Sequence, residues 1–218
     1  MPGPLVHWSA TETERAGTPL VLALHGWGAD ERSFAELAPQ LPAGTTVASV
    51  RAPIPAGGGY AWFANRGIGR PLPDSIADTA RWLFDWLHTV QPQHSSVTVL
   101  GFSGGMVMAG GLILARPGEF SAAVLLSGTL PWDAALPDEP GRLGGLPVFW
   151  GRDTEDQVIP ADLVARTGTW LREQSGAVLR EHTYPGLGHG INAQEVADIR
   201  DFLTALPAPT ARGSASGA

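Results

Sequence analysis

The sequence predicts an α/β protein built on a mainly parallel sheet with helices on both faces. Three observations lead there. Short continuous apolar runs, at 20–24 and 122–126, have the length and composition of strands buried on both sides. Segments of helical length stand between such runs, which is the pattern of βαβ units. The stretch 96–115, S-V-T-V-L-G-F-S-G-G-M-V-M-A-G-G-L-I-L-A, passes from an aliphatic run through a tight glycine turn into a small-residue helix.

Taken in order, the run at 20–24 is the first strand read, and H-G-W-G-A-D at 25–30 leaves it as a loop. A helix is expected over 31–40, stopped near Pro39 and Pro42, and a strand over 46–50. The segment 54–73 is rich in glycine and proline yet carries Tyr60, Trp62 and Phe63, so it reads as a loop folded over the top of a site. Asp74 and Ser75 then cap a helix to about Val90, with Ile76, Ala80, Leu83, Phe84 and Leu87 on one face. Further strands are expected at 97–100, 122–126, 148–150 and 178–184, with helices at 106–115, 161–174 and 193–206. One domain therefore spans 1–206, and the Pro-, Ala-, Gly- and Ser-rich stretch 207–218 reads as a flexible tail.

Composition narrows the chemistry. The chain has 218 residues and no cysteine, which excludes disulfides, a thiolate metal site and a cysteine nucleophile. All 14 basic residues are arginine, so no lysine is available as nucleophile or Schiff base. A net charge of −7 without a basic run argues against nucleic acid or an anionic membrane as partner. The sequence shows neither a secretory leader nor a run of membrane-spanning length, so the expected location is cytoplasmic.

In parallel sheets reactive groups collect at the carboxyl ends of strands. Ser103 lies there, in G-F-S-G-G between strand and helix, the context of a nucleophile elbow. A serine hydroxyl needs a base to take its proton and an acid to orient that base. G-R-D-T-E-D-Q-V-I-P, after the strand at 148, offers Asp153, Glu155 and Asp156. Y-P-G-L-G-H-G-I-N, after the last strand, offers His189. Ser103, Asp156 and His189 make the expected catalytic set, with Asp153 the first alternative for the acid and Asp133 a distant second. The amides of Gly104, after the serine, and Trp27, between two glycines, are the candidate oxyanion donors. His25, in the loop facing the elbow, is expected to fix that loop by bonding neighbouring backbone, and is grouped with the substrate-binding residues. His7, His88, His94 and His182 lie in or beside ordinary elements.

Together L-H-G-W-G-A-D at 24–30, G-F-S-G-G at 101–105, D-Q-V-I-P at 156–160 and G-H-G at 188–190 resemble the phospholipase/carboxylesterase family of α/β-hydrolases. The resemblance runs from Leu20 to about Leu206. It implies an α/β-hydrolase fold with a minimal lid and a Ser103–His189–Asp156 triad. It also implies oxyanion donors at Trp27 and Gly104, and neither metal nor cofactor. The family pattern D-x-V-V-P favours Asp156 over Asp153. The family's aromatic pair near the site matches Trp62 and Phe63, which are read as lining the pocket. Two departures stand out: Gly104 where the family commonly has glutamine, and extra length between Gly151 and Asp156. The implied activity is serine carboxylesterase on short- to medium-chain esters, with a small-molecule ester as partner; the resemblance is compatible with a homodimer. Two alternatives are kept: a lysophospholipase or acyl-protein thioesterase, and a catalytically silent ligand-binding relic.

Overall fold

The computed structural model describes residues 2–207. Seven strands form one sheet: β1 (Val6–Trp8), β2 (Pro19–Leu24), β3 (Thr46–Val50), β6 (Ser96–Phe102), β7 (Ala122–Leu126), β8 (Pro147–Arg152) and β9 (Val178–Thr183). Their order is β1-β3-β2-β6-β7-β8-β9. Only β1 runs antiparallel, against β3; the other five pairings are parallel. The mainly parallel sheet is thus as expected. Two strands, β4 (Ile54–Ala56) and β5 (Gly59–Ala61), make a separate hairpin inside the loop read as a cover.

Alternation along β2 shows how the sheet serves two cores. Leu20, Leu22 and Leu24 enter one hydrophobic cluster, and Val21 and Ala23 the other. The first cluster is covered by α2 (Pro73–Val90), α3 (Gly104–Ala115) and α4 (Ala161–Glu173). The second is covered by α5 (Ala193–Thr204) and by Phe34, Leu37 and Leu41. Residues 105–114 of α3 are all buried, which explains why this helix is apolar all round and rich in glycine and alanine.

Two local expectations are corrected, and two short elements are added. Residues 31–40 do not form an α-helix. Bonds run three residues back, from Ser33 to Asp30, Ala35 to Arg32 and Leu37 to Phe34, and a 3₁₀ turn occupies Ala38–Gln40. Pro39 lacks the N–H donor that an α-turn needs there. Helix α2 is not capped by Asp74 or Ser75: it starts at Pro73 with Leu72 as N-cap, while Ser75 Oγ accepts the Ala64 N–H at 2.9 Å. Strand β1 and the single turn α1 (Glu12–Arg15) were not legible, being three and four residues long. The proposed tail lies, from residue 208 on, outside the described residues.

Candidate active site

Ser103 sits at the end of β6 with φ +55° and ψ −118°, a conformation uncommon for a residue with a side chain. Glycines on either side make the turn physically attainable. A Cβ on Gly101 would fall 2.7 Å from Met106 N, and one on Gly105 would fall 2.7 Å from the His25 carbonyl oxygen. The strained residue is also supported, because its N–H donates to Leu126 O at 3.0 Å.

His189 and Asp156 meet the serine from two other strand ends. The loop after β9 brings His189 Nε2 to 2.9 Å from Ser103 Oγ. The loop after β8 brings Asp156 Oδ2 to 2.8 Å from His189 Nδ1. The second Asp156 oxygen accepts the N–H groups of Val158 (2.7 Å) and Ile159 (3.3 Å), so the carboxylate is fixed at both ends. The ring of Phe102 packs on the imidazole with centroids 5.1 Å apart. Serine, histidine and aspartate, apart in sequence, are thus joined by one continuous line of contacts.

Asp153, the alternative acid, does not reach the imidazole: its oxygens bond the backbone N–H groups of Glu155 and Gly188. Asp133 faces Arg70 instead, at 3.4 Å.

The loop at 25–28 packs directly on the elbow. Built on Gly26, a Cβ would lie 3.5 Å from Ser103 Cβ, and built on Gly104 it would lie 3.4 Å from Trp27 N. The Trp27 and Gly104 amides therefore flank the serine, and Gly104 opens α3, where helix geometry leaves an N–H without an intrahelical acceptor. The Trp27 indole is no core anchor, since it is 60% exposed at the rim.

His25 is corrected from the substrate-binding set. It is fully buried; Nδ1 lies 2.7 Å from Gly26 O, and Nε2 accepts the Ala52 N–H at 3.1 Å. With both nitrogens spent on backbone, it holds the loop and does not line the cavity. Burial lowers its pKa, which suits the neutral ring this bonding requires. Its carbonyl accepts the Trp62 indole N–H at 2.7 Å, a link the sequence did not reveal.

A cavity of about 590 Å³ opens beside Ser103. Trp62 and Phe63 line it although both are buried, together with Val107, Ile159, Ile68 and the Trp27 ring. Among the described lining residues His189 is the sole titratable side chain, so the cavity is apolar apart from the relay and Asn65. The segment 61–69 supplies one wall, as expected of a cover. No group of His, Cys, Asp and Glu able to hold a metal occurs among the described residues.

A model of the Phospholipase/Carboxylesterase family matches residues 7–206. The chain belongs to this family. Among curated relatives, acyl-protein thioesterase 1 of Debaryomyces hansenii is 24% identical over 163 residues, 69% of this chain and 70% of that protein. Carboxylesterase SOBER1 of Arabidopsis thaliana is 25% identical over 109 residues, so the match spans 50% of this chain and 47% of the plant protein. The carboxylesterase from Mesorhizobium loti superposes with a TM-score of 0.80 at 23% identity, covering 93% of this chain and 95% of that one. The Bacillus cereus carboxylesterase gives 0.78 at 20% identity, covering 92% and 93%. These two likenesses show the α/β-hydrolase fold. Family membership makes the chain an enzyme, a serine hydrolase of the carboxylic-ester class.

Proposed function

We propose that this enzyme is a carboxylesterase that cleaves short- to medium-chain carboxylic esters through an acyl-enzyme formed on Ser103. The observation that carries the reading is the relay Ser103–His189–Asp156, with contacts of 2.9 and 2.8 Å, opening into an apolar cavity. His189 Nε2 takes the Ser103 proton as Oγ attacks the ester carbonyl, then returns it to the leaving alkoxide. Asp156 fixes the tautomer that leaves Nε2 free to accept, and stabilises the imidazolium that forms. The oxyanion of each tetrahedral intermediate is placed toward the Trp27 and Gly104 amides, each such donor typically worth about 10²–10³ in rate. Water then attacks the acyl-enzyme by the same route in reverse.

The cavity supports an uncharged substrate. Its volume of about 590 Å³ lies within the roughly 300–1,000 Å³ usual for small-molecule sites. Among the described residues no arginine lines it to meet a phosphate or carboxylate headgroup. The thioesterase names among the relatives keep a long-chain acyl substrate as the second reading, favoured by the exposed apolar rim of Trp27, Ile68 and Val158.

The deciding experiment is hydrolysis of p-nitrophenyl esters from acetate to palmitate by the wild type and Ser103→Ala. We expect highest kcat/KM at short to medium acyl lengths and a loss of at least ~10³-fold in the variant. An optimum at long chains would move the assignment to the thioesterase reading. Undiminished turnover by Ser103→Ala would overturn the mechanism.

A further inference from the structure

His189 stands on a loop poorly suited to holding a ring still. Gly186 and Gly188 adopt φ values of +80° and +67°, and Gly190 follows directly after the histidine. Glycine leaves the backbone more conformations than any other residue. Yet the imidazole has to keep both of its contacts, and a displacement of about 1 Å at such a site can cost ~100-fold in rate. Local bonds do part of the work: Leu187 N–H reaches Tyr184 O at 3.1 Å, and Ser127 Oγ reaches Gly190 O at a long 3.3 Å.

A shorter anchor comes from outside the loop. Asp153 Oδ2 accepts the Gly188 N–H at 2.7 Å, and Asp153 Oδ1 accepts the Glu155 N–H at 3.0 Å. Gly188 immediately precedes His189, and Glu155 immediately precedes Asp156. One carboxylate therefore holds the backbone N–H of the residue that precedes each member of the histidine–acid pair. Asp153 is only 3% exposed, so these charge-assisted bonds are shielded from water. The amides of Glu155 and Gly188 hold its carboxyl below the usual range, which keeps it ionised and accepting at neutral pH.

We propose that Asp153 is a positioning residue that ties the turn bearing Asp156 to the loop bearing His189 and sets their separation. It is not among the residues that line the cavity. The assignment rests on Ser103, His189 and Asp156 acting as the triad, so His189→Ala is assayed first. Full activity in that variant would refute the triad itself, independently of Asp153.

With the triad established, Asp153→Asn is the test. Asparagine keeps one acceptor and turns an NH₂ toward the other amide. The expected result is a drop of about 10–100-fold in kcat for p-nitrophenyl acetate and in the rate of Ser103 labelling by a fluorophosphonate. KM should stay within about twofold, because the cavity is untouched. Added to Asp156→Asn, the same change should cost less than about twofold further, since the pair it aligns is already broken. Wild-type labelling by Asp153→Asn, or losses that multiply in full in the double variant, would overturn the proposal. A variant that fails to fold moves the test to the wild type, by amide hydrogen exchange. There the Gly188 N–H should be protected at pH 7 and lose protection as acid titrates Asp153; exchange at the rate of a free peptide amide would refute the anchor.

Discussion

Glu195 offers a quantitative test of how burial competes with local helix electrostatics. It sits in the first turn of α5, behind the Asn192 cap whose Oδ1 accepts its N–H at 2.8 Å. A carboxylate there gains about 0.3–1 kcal/mol from the helix dipole. Burial opposes this and wins. Glu195 is fully buried against Gly151, neither carboxyl oxygen has a hydrogen-bond partner among the described residues, and Asp198 adds a like charge. Desolvation, and then Asp198, push its pKa from 4.5 up to about 8. The Asp198 carboxylate itself is turned to the Tyr184 hydroxyl and His182, at 2.9 and 3.5 Å, so neither of these neutralises Glu195.

The sign follows from proton counting. Between pH 4.5 and about 8 the folded protein keeps a proton on Glu195 that the unfolded chain has released. Stability must therefore fall as pH rises through that window, by up to ~1.4 kcal/mol per pH unit, and level off above it. The whole interval sets an upper limit of about 5 kcal/mol. Glu195→Gln keeps the shape and removes the titration. Its amide is also poorly bonded, which adds a constant offset that cancels in the slope. Urea unfolding of both proteins at pH 5, 6, 7 and 8 should show the variant gaining on the wild type at each step, with other titrating groups cancelling in the difference. A difference independent of pH would refute the reasoning.

Asp156→Asn keeps the geometry but favours the wrong imidazole tautomer, so kcat on p-nitrophenyl acetate should fall by ~10³–10⁴-fold with little change in melting temperature. Gly105→Ala places a Cβ against the carbonyls of Leu24 and His25, both backbone atoms that cannot turn aside, and should yield little folded protein by circular dichroism. Arg51→Ala should lower the urea midpoint at pH 7, because it leaves the buried Glu31 carboxylate without its partner. The arginine grips Glu31 through bonds of 2.6 and 2.7 Å and holds its carboxyl below the usual range. That contribution is present at neutral pH and lost as acid protonates Glu31, so the two proteins should converge at low pH; a constant gap would count against the ion pair.

What the sequence determined by itself is what local pattern encodes. A strand buried on both faces tends to be apolar throughout, so β2 and β7 stood out as continuous runs. Elbow sterics demand glycine at 101 and 105 around Ser103, which made the serine readable from five residues. The order of Ser103, Asp156 and His189, each just past a strand, limited the chemistry. Tertiary structure decided whatever depends on neighbours distant in the chain. The hairpin of β4 and β5 escaped notice because its strands are three residues long and face a loop. His25 was expected to bond neighbouring backbone, as its Nδ1 does at Gly26 O, but only the fold brings Ala52, 27 residues away, to donate to its Nε2. Asp153 and Asp156 carry the same functional group three positions apart, and only the resemblance of D-Q-V-I-P to the family pattern favoured the second. Only the packing of the β9 loop against the β8 loop turns one to the imidazole and the other to the backbone amides that hold it. Glu195 reads as an ordinary first-turn acid, and its burial comes from the sheet it is pressed against.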